Sequence, residues 1–407
     1  MRKFGIIVLT VLLALFLVEG LAAQTVTLRL MAPWADKELQ GFQPAMDKFM
    51  KNNPGIKIEY RTGRLEDVST ILSTQFSVKQ TPYDVIDISA PSYITAEAAK
   101  GNVLALDDVV KTTDFLDGGF DFLRVGGKIY GAPSIGGYNI PEYNKSAWKN
   151  ANLKDPSTAQ SWAELLGLLR SYRKVDGVKA AIGTGGGVGW MNTTVIEQWL
   201  CAFGGKDLYL NLIKGTVAWD SQQVKDILST YLLPLLKEGL FGEPDETVRD
   251  NMWKGQYGLF FGGTTDAGRL TPSSDYGILM FPGQKVNVMW TDFWFIPAYT
   301  PHPKEAKKLL QFLATEGQAI QVSNGGRIAT YKNVPASSYP PAEQYILSVL
   351  KNIAIVPDMD DSIGGKFQPT EWDQLKLLWS DPSMDTLETV LSNMQAAAVE
   401  TRAGASK

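Results

Sequence analysis

The stretch Gly127-Lys128-Ile129-Tyr130-Gly131-Ala132-Pro133, followed shortly by Ile140-Pro141-Glu142-Tyr143-Asn144-Lys145, decides the fold. The first part is typical of a glycine turn, a short apolar strand and a proline that cannot continue a sheet, so one structural unit ends there. The second part begins another unit. On both sides, short apolar strands alternate with helical patterns, which is typical of helices packed on a mainly parallel sheet. We therefore predict an α/β fold with two lobes, in which residues 133–138 form the first segment that crosses between them.

The length of the chain supports two lobes, because 407 residues are several times the usual domain size of about 100–150 residues. The N-terminal segment stands apart from both. It has a basic pair, Arg2-Lys3, then an apolar run, and then Gly20-Leu21-Ala22-Ala23. This order predicts a secretory signal peptide over residues 1–23, which places the protein in the periplasm or outside the cell. A retained membrane anchor is the alternative, although the run is short for a span of about 20 residues.

Charge and cysteine content exclude several classes of partner. The formal net charge is −4, and a weakly acidic chain is a poor ligand for nucleic acid or an anionic membrane. The only cysteine, Cys201, lies too far from the signal peptide to carry a lipid anchor, and a single cysteine forms no internal disulfide. Nothing in the sequence indicates a metal or a cofactor, and we expect a monomer.

Strand ends locate one edge of a ligand cleft. A strand at residues 25–31, a helix at residues 37–50 and a strand at residues 56–60 form a β-α-β unit, in which the two strands are parallel. Ligands on open parallel sheets bind beyond the carboxyl ends of the strands. Trp34 and Asp36 follow the first of these strands, and Ser89 and Tyr93 follow the strand at residues 84–88, so all four are expected at the cleft.

The glycine-rich run Gly185-Gly186-Gly187-Val188-Gly189-Trp190 follows a predicted strand in the second lobe. It lacks the Gly-Lys-Ser/Thr ending of a phosphate-binding loop and does not fit the dinucleotide pattern, which argues against a nucleotide site. We interpret the glycines as a sharp bend that directs Trp190 into the cleft.

A series of short motifs runs through the chain in a specific order. They are Asp84-Val85-Ile86, Ala98-Ala99-Lys100-Gly101-Asn102-Val103-Leu104-Ala105-Leu106-Asp107, residues 127–133, Tyr143-Asn144-Lys145, Ser161-Trp162-Ala163-Glu164-Leu165, Trp253-Lys254-Gly255-Gln256-Tyr257-Gly258, His302-Pro303-Lys304-Glu305-Ala306 and Phe312-Leu313-Ala314-Thr315. Each motif is weak alone, but together they resemble the sugar-binding family of extracellular solute-binding proteins that serve ABC importers. The resemblance covers essentially all of residues 24–400.

This resemblance implies a type II-like two-lobe periplasmic binding protein with three interlobe crossings and a ligand cleft between the lobes. It implies an N-terminal lobe of residues 24–134 and 279–314, a C-terminal lobe of residues 138–276 and 318–403, and the membrane permease of an ABC transporter as the partner. One departure concerns the ligand. Where family members often carry Gly-Ser-Trp, this chain has Gly263-Thr264-Thr265, so we expect Trp290-Thr291-Asp292-Phe293-Trp294 to supply the missing aromatic platform.

Sugars stack their apolar ring face on aromatic side chains and pair their hydroxyls with polar groups, and both types of residue occur at the predicted strand ends and loops. The candidate ligand contacts are Trp34, Asp36, Ser89, Tyr93, Trp190, Asp266, Trp290, Asp292, Trp294, Arg327, Glu371 and Trp372. For each ring the alternative is packing in a core, and for each charge it is a solvated loop. We expect a di- or oligosaccharide as the ligand.

Two other classes of function stay open. His302 is the sole histidine and lies between two prolines, which argues against a catalytic triad or a multi-histidine metal site. A glycosidase needs only two carboxylates, and Asp266 with Asp292 would supply them. A non-sugar ligand such as a polyamine, peptide or anion is the other alternative. Two or more unpaired carboxylates in the cleft would favour a polyamine. On balance the sequence predicts a binding protein and not an enzyme.

Overall fold

A computed structural model describes residues 25–184, 189–242, 247–264, 273–324 and 327–405. The predicted signal peptide and the candidate Asp266 lie outside these ranges. Within them, no helix has the length and apolar character needed to cross a membrane.

The strands form two main sheets and one hairpin. Their bounds are β1 Val26–Ala32, β2 Ile56–Thr62, β3 Val85–Ile88, β4 Arg124–Val125, β5 Lys128–Ile129, β6 Ala132–Asn139, β7 Glu142–Asn144, β8 Ala180–Thr184, β9 Tyr257–Phe261, β10 Tyr276–Ile278, β11 Val286–Phe295, β12 Ile328–Ala329 and β13 Ala354–Pro357. The larger sheet has the order β12-β6-β11-β3-β1-β2, with β13 beside β11, and the smaller has the order β10-β7-β9-β8. β4 and β5 form the hairpin.

Helices cover both sheets, as the predicted α/β class requires. Their bounds are α1 Asp36–Asn52, α2 Leu65–Ser77, α3 Pro91–Ala99, α4 Lys145–Asn150, α5 Trp162–Tyr172, α6 Trp190–Trp199, α7 Gly205–Lys214, α8 Gln222–Ile227, α9 Leu233–Lys237, α10 Val248–Trp253, α11 Pro303–Ala314, α12 Glu316–Val322, α13 Pro341–Leu350, α14 Met359–Ile363, α15 Phe367–Ser380 and α16 Met384–Ala405. π-helical turns follow α6 and α8 at residues 200–204 and 228–232.

The first β-α-β unit forms as predicted. β1 and β2 are parallel, with Val26 opposite Ile56, and α1 connects them. Phe42, Met46 and Phe49 follow the 3.6-residue period of a helix, so a single face of α1 is buried in the first core. Because α1 begins directly after β1, the connecting loop lies at the carboxyl end of that strand, where the cleft was expected.

The chain passes three times between the two sheets in the part that the structure describes. β6 of the larger sheet leads directly into β7 of the smaller sheet, and β10 of the smaller sheet precedes β11 of the larger one. β13 then leads to α14, which packs in the second core. β6 and β11 pair antiparallel from Ala132–Trp294 to Asn139–Val288, so two of the connecting segments are hydrogen-bonded to each other.

The third passage lies later in the chain than the boundary at residue 318 that the resemblance implied. α12 and α13 contribute Val322, Ile346 and Leu350 to the first core. Gln318 is fully buried there and its side-chain amide donates to the carbonyl of Pro133 at 3.1 Å. The segment therefore packs on the first lobe, and the chain returns to the second lobe only after β13.

Candidate functional site

Two of the candidate aromatic residues lie inside the first lobe. Trp34 is 1% exposed and Trp294 is 0% exposed, and their ring centroids are 5.5 Å apart in a cluster with Phe42. Both were expected to contact ligand because they lie at strand ends, but a position at a strand end does not fix the direction in which a ring points. Neither indole N–H has a hydrogen-bond partner among the described residues, although buried tryptophan N–H groups usually find one. Both rings pack in the core of the first lobe, beneath the edge of the cleft.

Asp36 lies apart from the other candidates. It is exposed, and as the first residue of α1 it has a φ of 46°. Non-glycine residues adopt this left-handed region infrequently and at a cost in conformational energy. The bend it makes turns α1 back over the sheet and brings Glu38 toward the cleft.

Arg327, Trp290 and Asp292 come together as one group on the first-lobe side. The guanidinium of Arg327 lies 4.5 Å above the ring centroid of Trp290, a cation–π geometry. Its Nη2 pairs with Glu38, and its Nη1 lies 3.9 Å from Oδ2 of Asp292. Asp292 is 5% exposed, and burial raises its pKa to about 6 although the charge of Arg327 lowers it.

Asp87 belongs to the same group and was not among the sequence candidates. It lies on β3 opposite Trp294 on β11 and is fully buried. Burial and the charge of Asp292 raise its pKa well above the ordinary value, while Ser134 and Arg327 lower it. Its position in the apolar run Val85-Ile86-Asp87-Ile88 was the available signal, because a lone carboxyl in a buried strand requires an explanation.

Trp290 lies at the junction of the two lobes. A Cβ atom on Gly137 of β6 would be 2.5 Å from Cζ2 of the Trp290 ring, and one on Gly263 would be 3.1 Å from its Nε1. Gly263 follows β9 of the second sheet. The ring of Trp290 on the first-lobe sheet therefore approaches Gly263 of the second lobe.

The second-lobe side of the site holds five carboxylates, which we call the acidic cluster: Glu197, Asp358, Asp360, Asp361 and Glu371. Carboxylate oxygens of Asp358, Asp360 and Asp361 all lie within 4.8 Å of one another. Glu197 comes from α6, the three aspartates come from the start of α14, and Glu371 comes from α15.

Neutral groups donate most of the hydrogen bonds to this cluster. The amide of Asn139 donates to Glu197 at 2.6 Å and to Asp358 at 3.1 Å. The indole N–H of Trp372 donates to Asp360 at 2.6 Å. Further donors are Gln368 to Asp361 at 2.7 Å, the Met359 N–H to Glu197 at 2.6 Å and the Tyr209 hydroxyl to Glu197.

No lysine or arginine of the described ranges forms an ion pair with any of the five carboxylates. Burial raises the pKa values of four of them, Glu197, Asp358, Asp361 and Glu371. Burial and the charge of Asp360 raise the pKa of Glu197 to about 8. Burial, followed by the charges of the neighbouring carboxylates, raises the pKa values of Asp358, Asp361 and Glu371 well above the ordinary range.

The first lobe meets the acidic cluster at Asp361. The hydroxyl of Ser92 on α3 donates to the Asp361 carbonyl at 3.0 Å, and the hydroxyl of Ser89 lies 3.5 Å from its Oδ1. Tyr93, the next residue of α3, is half-buried beside them. The cluster therefore lies between the two lobes and not on an outer surface.

Trp190 and Trp372 are half-buried in the second lobe. Trp190 is the first residue of α6, directly after Gly189, where a Cβ atom would lie 2.3 Å from Cβ of Trp372. The preceding residues 185–188, on which the predicted glycine bend falls, lie outside the described ranges.

Sequence reasoning missed four members of the acidic cluster and identified only Glu371. The signal was Asp358-Met359-Asp360-Asp361, which places three carboxylates in four residues directly after the strand β13. Glu197 gave no such signal, because it lies within a helix whose neighbours are apolar.

Comparison with known proteins identifies the family. Residues 35–320 match the model of the bacterial extracellular solute-binding proteins. An uncharacterized ABC transporter extracellular-binding protein of Pyrococcus horikoshii is 41% identical over 375 residues, which are 91% of this chain and 88% of that protein. A second such protein of the same organism is 25% identical over 338 residues, 78% of this chain and 74% of that protein.

Solved structures show the same fold. A chitin oligosaccharide binding protein matches with a TM-score of 0.78 at 20% identity, over 94% of this chain and all of that chain. A maltose-bound binding protein of T. maritima matches with a TM-score of 0.70 at 19% identity, over 93% of this chain and 99% of that one. The predicted two-lobe α/β architecture and the family resemblance are thus confirmed: the chain belongs to the bacterial extracellular solute-binding protein family.

Proposed function

We propose that this protein captures a sugar of two or more units between its lobes and delivers it, as a monomer, to the permease subunits of an ABC importer. The observation that carries the proposal is the set of three half-exposed indole rings, Trp190, Trp290 and Trp372, in the region between the lobes. Arg327 lies beside Trp290, and Asp360 lies beside Trp372, so polar groups that sugar hydroxyls could engage adjoin two of the rings. Stacking on the ring face together with pairing at the hydroxyl rim is the chemistry of sugar recognition.

The two sides of the site would contribute differently. On the first-lobe side, Arg327 pairs with Glu38, and its guanidinium lies over the ring face of Trp290. A guanidinium can donate two parallel hydrogen bonds to a ligand. On the second-lobe side, Asp360 and the indole of Trp372 are hydrogen-bonded to each other, which fixes the orientation of that ring. A sugar between these groups would contact both lobes at once.

Closure around the ligand follows from the three segments that connect the lobes. β6 and β11 are hydrogen-bonded to each other, so they would bend together as one hinge. A ligand that contacts both lobes binds the closed form more tightly, and this difference in affinity shifts the population toward it. The permease would then recognise the closed shape.

Binding without reaction is the second part of the proposal. Matched relatives are solute-binding proteins by name, and Asp292, one of the two carboxylates considered for a glycosidase, faces the cation of Arg327 at 3.9 Å. The proposal therefore assigns Asp292 to the group around Arg327 and gives it no catalytic role. The protein is also expected to reach its solute outside the cytoplasm, as its family does.

The test is isothermal titration calorimetry of the purified protein with glucose- and glucosamine-based mono-, di- and trisaccharides. We expect at least one oligosaccharide to bind, with Trp190→Ala and Trp372→Ala weakening the binding, and the sugar to be recovered intact after long incubation. Binding of peptides or inorganic anions in preference to every sugar would refute the proposed ligand class. A shortened oligosaccharide in the recovered material would refute the proposal of binding without reaction.

A further inference from the structure

The charge balance of the site is asymmetric. On the first-lobe side, Arg327 faces both Glu38 and Asp292. On the second-lobe side, the three carboxylates of Asp358, Asp360 and Asp361 converge within 4.8 Å, and none of the five carboxylates of the acidic cluster has a basic partner among the described residues. Burial, and then neighbouring charges, raise the pKa values of Glu197, Asp358, Asp361 and Glu371. Buried charges in proteins are normally paired or bound to a cation. The first-lobe side thus holds a cation, Arg327, among its carboxylates, whereas the second-lobe side holds none among the described residues.

Glu371 gives an independent indication that a partner is missing. Its side chain is 0% exposed, and neither carboxylate oxygen has a hydrogen-bond partner among the described groups. The next residue, Trp372, donates its indole N–H to Asp360, and the charges of Asp360 and Glu197 act on Glu371, so it lies beside the acidic cluster. A buried carboxyl without a donor destabilises the folded chain unless a partner binds to it.

The acidic cluster is also reachable from the space between the lobes. Asp358 and Asp361 keep partial exposure to solvent, and Asp361 contacts Ser89 and Ser92 of the first lobe. Trp372 donates to Asp360 and keeps part of its ring exposed. A ligand in the cleft would therefore meet carboxylates and an aromatic face together.

We propose that the sugar bound by this protein carries a positively charged amino group, and that the acidic cluster recognises it. This inference rests on the proposed function and narrows its ligand to amino sugars. An ammonium group has three donors, which suits several carboxylates around it, and it is attracted to the face of an indole ring. A neutral sugar would bring no charge that favours ionisation of these carboxylates.

A divalent metal fits this site less well than an amine. Calcium takes six to eight oxygen ligands, whereas Oδ2 of Asp360 already accepts from Trp372, and Oδ1 of Asp361 accepts from Gln368. The convergent residues Asp358, Asp360 and Asp361 offer one oxygen each, which is fewer than the ligands that calcium takes. Three acceptors match the three donors of an ammonium group.

The experiment compares ligands that differ only at one substituent. The full protein is titrated calorimetrically with β-1,4-linked di- and trisaccharides in three forms, carrying a free amine, an acetylated amine or a hydroxyl at C2, and with glucosamine against glucose at millimolar concentration. Spermidine and calcium chloride are separate arms. We expect the free amines to bind at least tenfold more tightly than their acetylated and hydroxyl counterparts, and to release protons on binding. Buffers of different ionisation enthalpy measure that release.

Variants connect the affinity to the acidic cluster. Asp361→Asn and Glu371→Gln should weaken binding of the free amine at least tenfold and change binding of the hydroxyl form by less than threefold. Asp373→Asn is the matched control, because Asp373 is exposed on the same helix as Glu371 and pairs only with Lys376 at 3.3 Å. A merely structural role of the cluster would weaken both ligands equally.

Each other outcome is decisive. Equal or tighter binding of the hydroxyl sugars overturns the amino-sugar inference and leaves the proposed function standing. Binding of spermidine without any sugar supports recognition of a cation but overturns the proposed function. Calcium binding that Asp361→Asn abolishes overturns the inference in favour of a metal site, and the absence of any response to the amines overturns it as well.

Discussion

Replacing Glu371 by glutamine should stabilise the free protein, and the gain should depend on pH. Glu371 is fully buried, and neither of its carboxylate oxygens has a hydrogen-bond partner among the described groups. Burial, then the charges of Asp360 and Glu197, raise its pKa well above the ordinary value. The amide of glutamine has the same shape, carries no charge and can donate to those neighbours. The substitution removes an unfavourable charge without creating a cavity.

The sign of the pH dependence follows from proton binding. A carboxyl whose pKa is higher in the folded state holds its proton more tightly there than in the unfolded chain. The native protein is therefore most stable below pH 4.5, the ordinary value for glutamate, and loses stability as the pH rises toward the folded pKa. The loss amounts to at most about 1.4 kcal/mol per pH unit. Glu371→Gln lacks this loss, so its advantage should be near zero at pH 4.5 and reach about 1–3 kcal/mol at pH 7.

Denaturant unfolding followed by tryptophan fluorescence between pH 4.5 and pH 9 measures this gain. Asp373→Asn on the same helix serves as the control, and its unfolding free energy should stay within about 0.5 kcal/mol of the native value at every pH. A gain for Glu371→Gln that does not change with pH, or a loss of stability above pH 6, would refute the reasoning. The first result would mean that folding does not raise the pKa of Glu371, and the second would mean that its charge is paired in solution.

Three further predictions concern the ligand and the hinge. Trp190→Ala should weaken sugar binding by about 1–3 kcal/mol. The melting temperature should stay nearly unchanged, because removing a half-buried ring at the start of a helix leaves no large cavity. A large fall in the melting temperature with unaltered affinity would place the ring in the core. Gly137→Ala should destabilise the protein by about 1–3 kcal/mol, since the added Cβ would lie 2.5 Å from the ring of Trp290. Trp290→Ala should relieve most of that loss in the double variant. Additive losses in stability would contradict the proposed clash. Saturating ligand should reduce the radius of gyration in small-angle scattering, and an unchanged radius would argue against closure of the lobes.

The fold was largely predictable because its signals are local. The glycine turn at residues 126–127 and the periodic face of α1 depend on near neighbours in the sequence, and both formed as expected. The third passage between the lobes was misplaced for the opposite reason. The amphipathic pattern of α12 and α13 shows that one face is buried, but it does not show which of two cores buries it.

The site was predictable in part. Trp290, Asp292 and Arg327 were selected as separate loop and strand-end residues, and the structure brings them into one group. Trp34 was selected by the same reasoning but points into the core, because position along a strand end does not fix the direction of a ring. The acidic cluster was missed since Glu197 is brought to Asp360 by packing between α6 and α14, which are far apart in the sequence.

The carboxylates that face each other across the cleft have a consequence for the transport cycle. Asp361 of the second lobe lies close enough to Asp292 of the first lobe for the two like charges to interact. If the protein takes up a cationic solute as proposed, this repulsion would oppose closure of the empty protein, and the bound solute would remove it. An importer would then be engaged less often by unloaded receptors, which would limit futile hydrolysis of ATP.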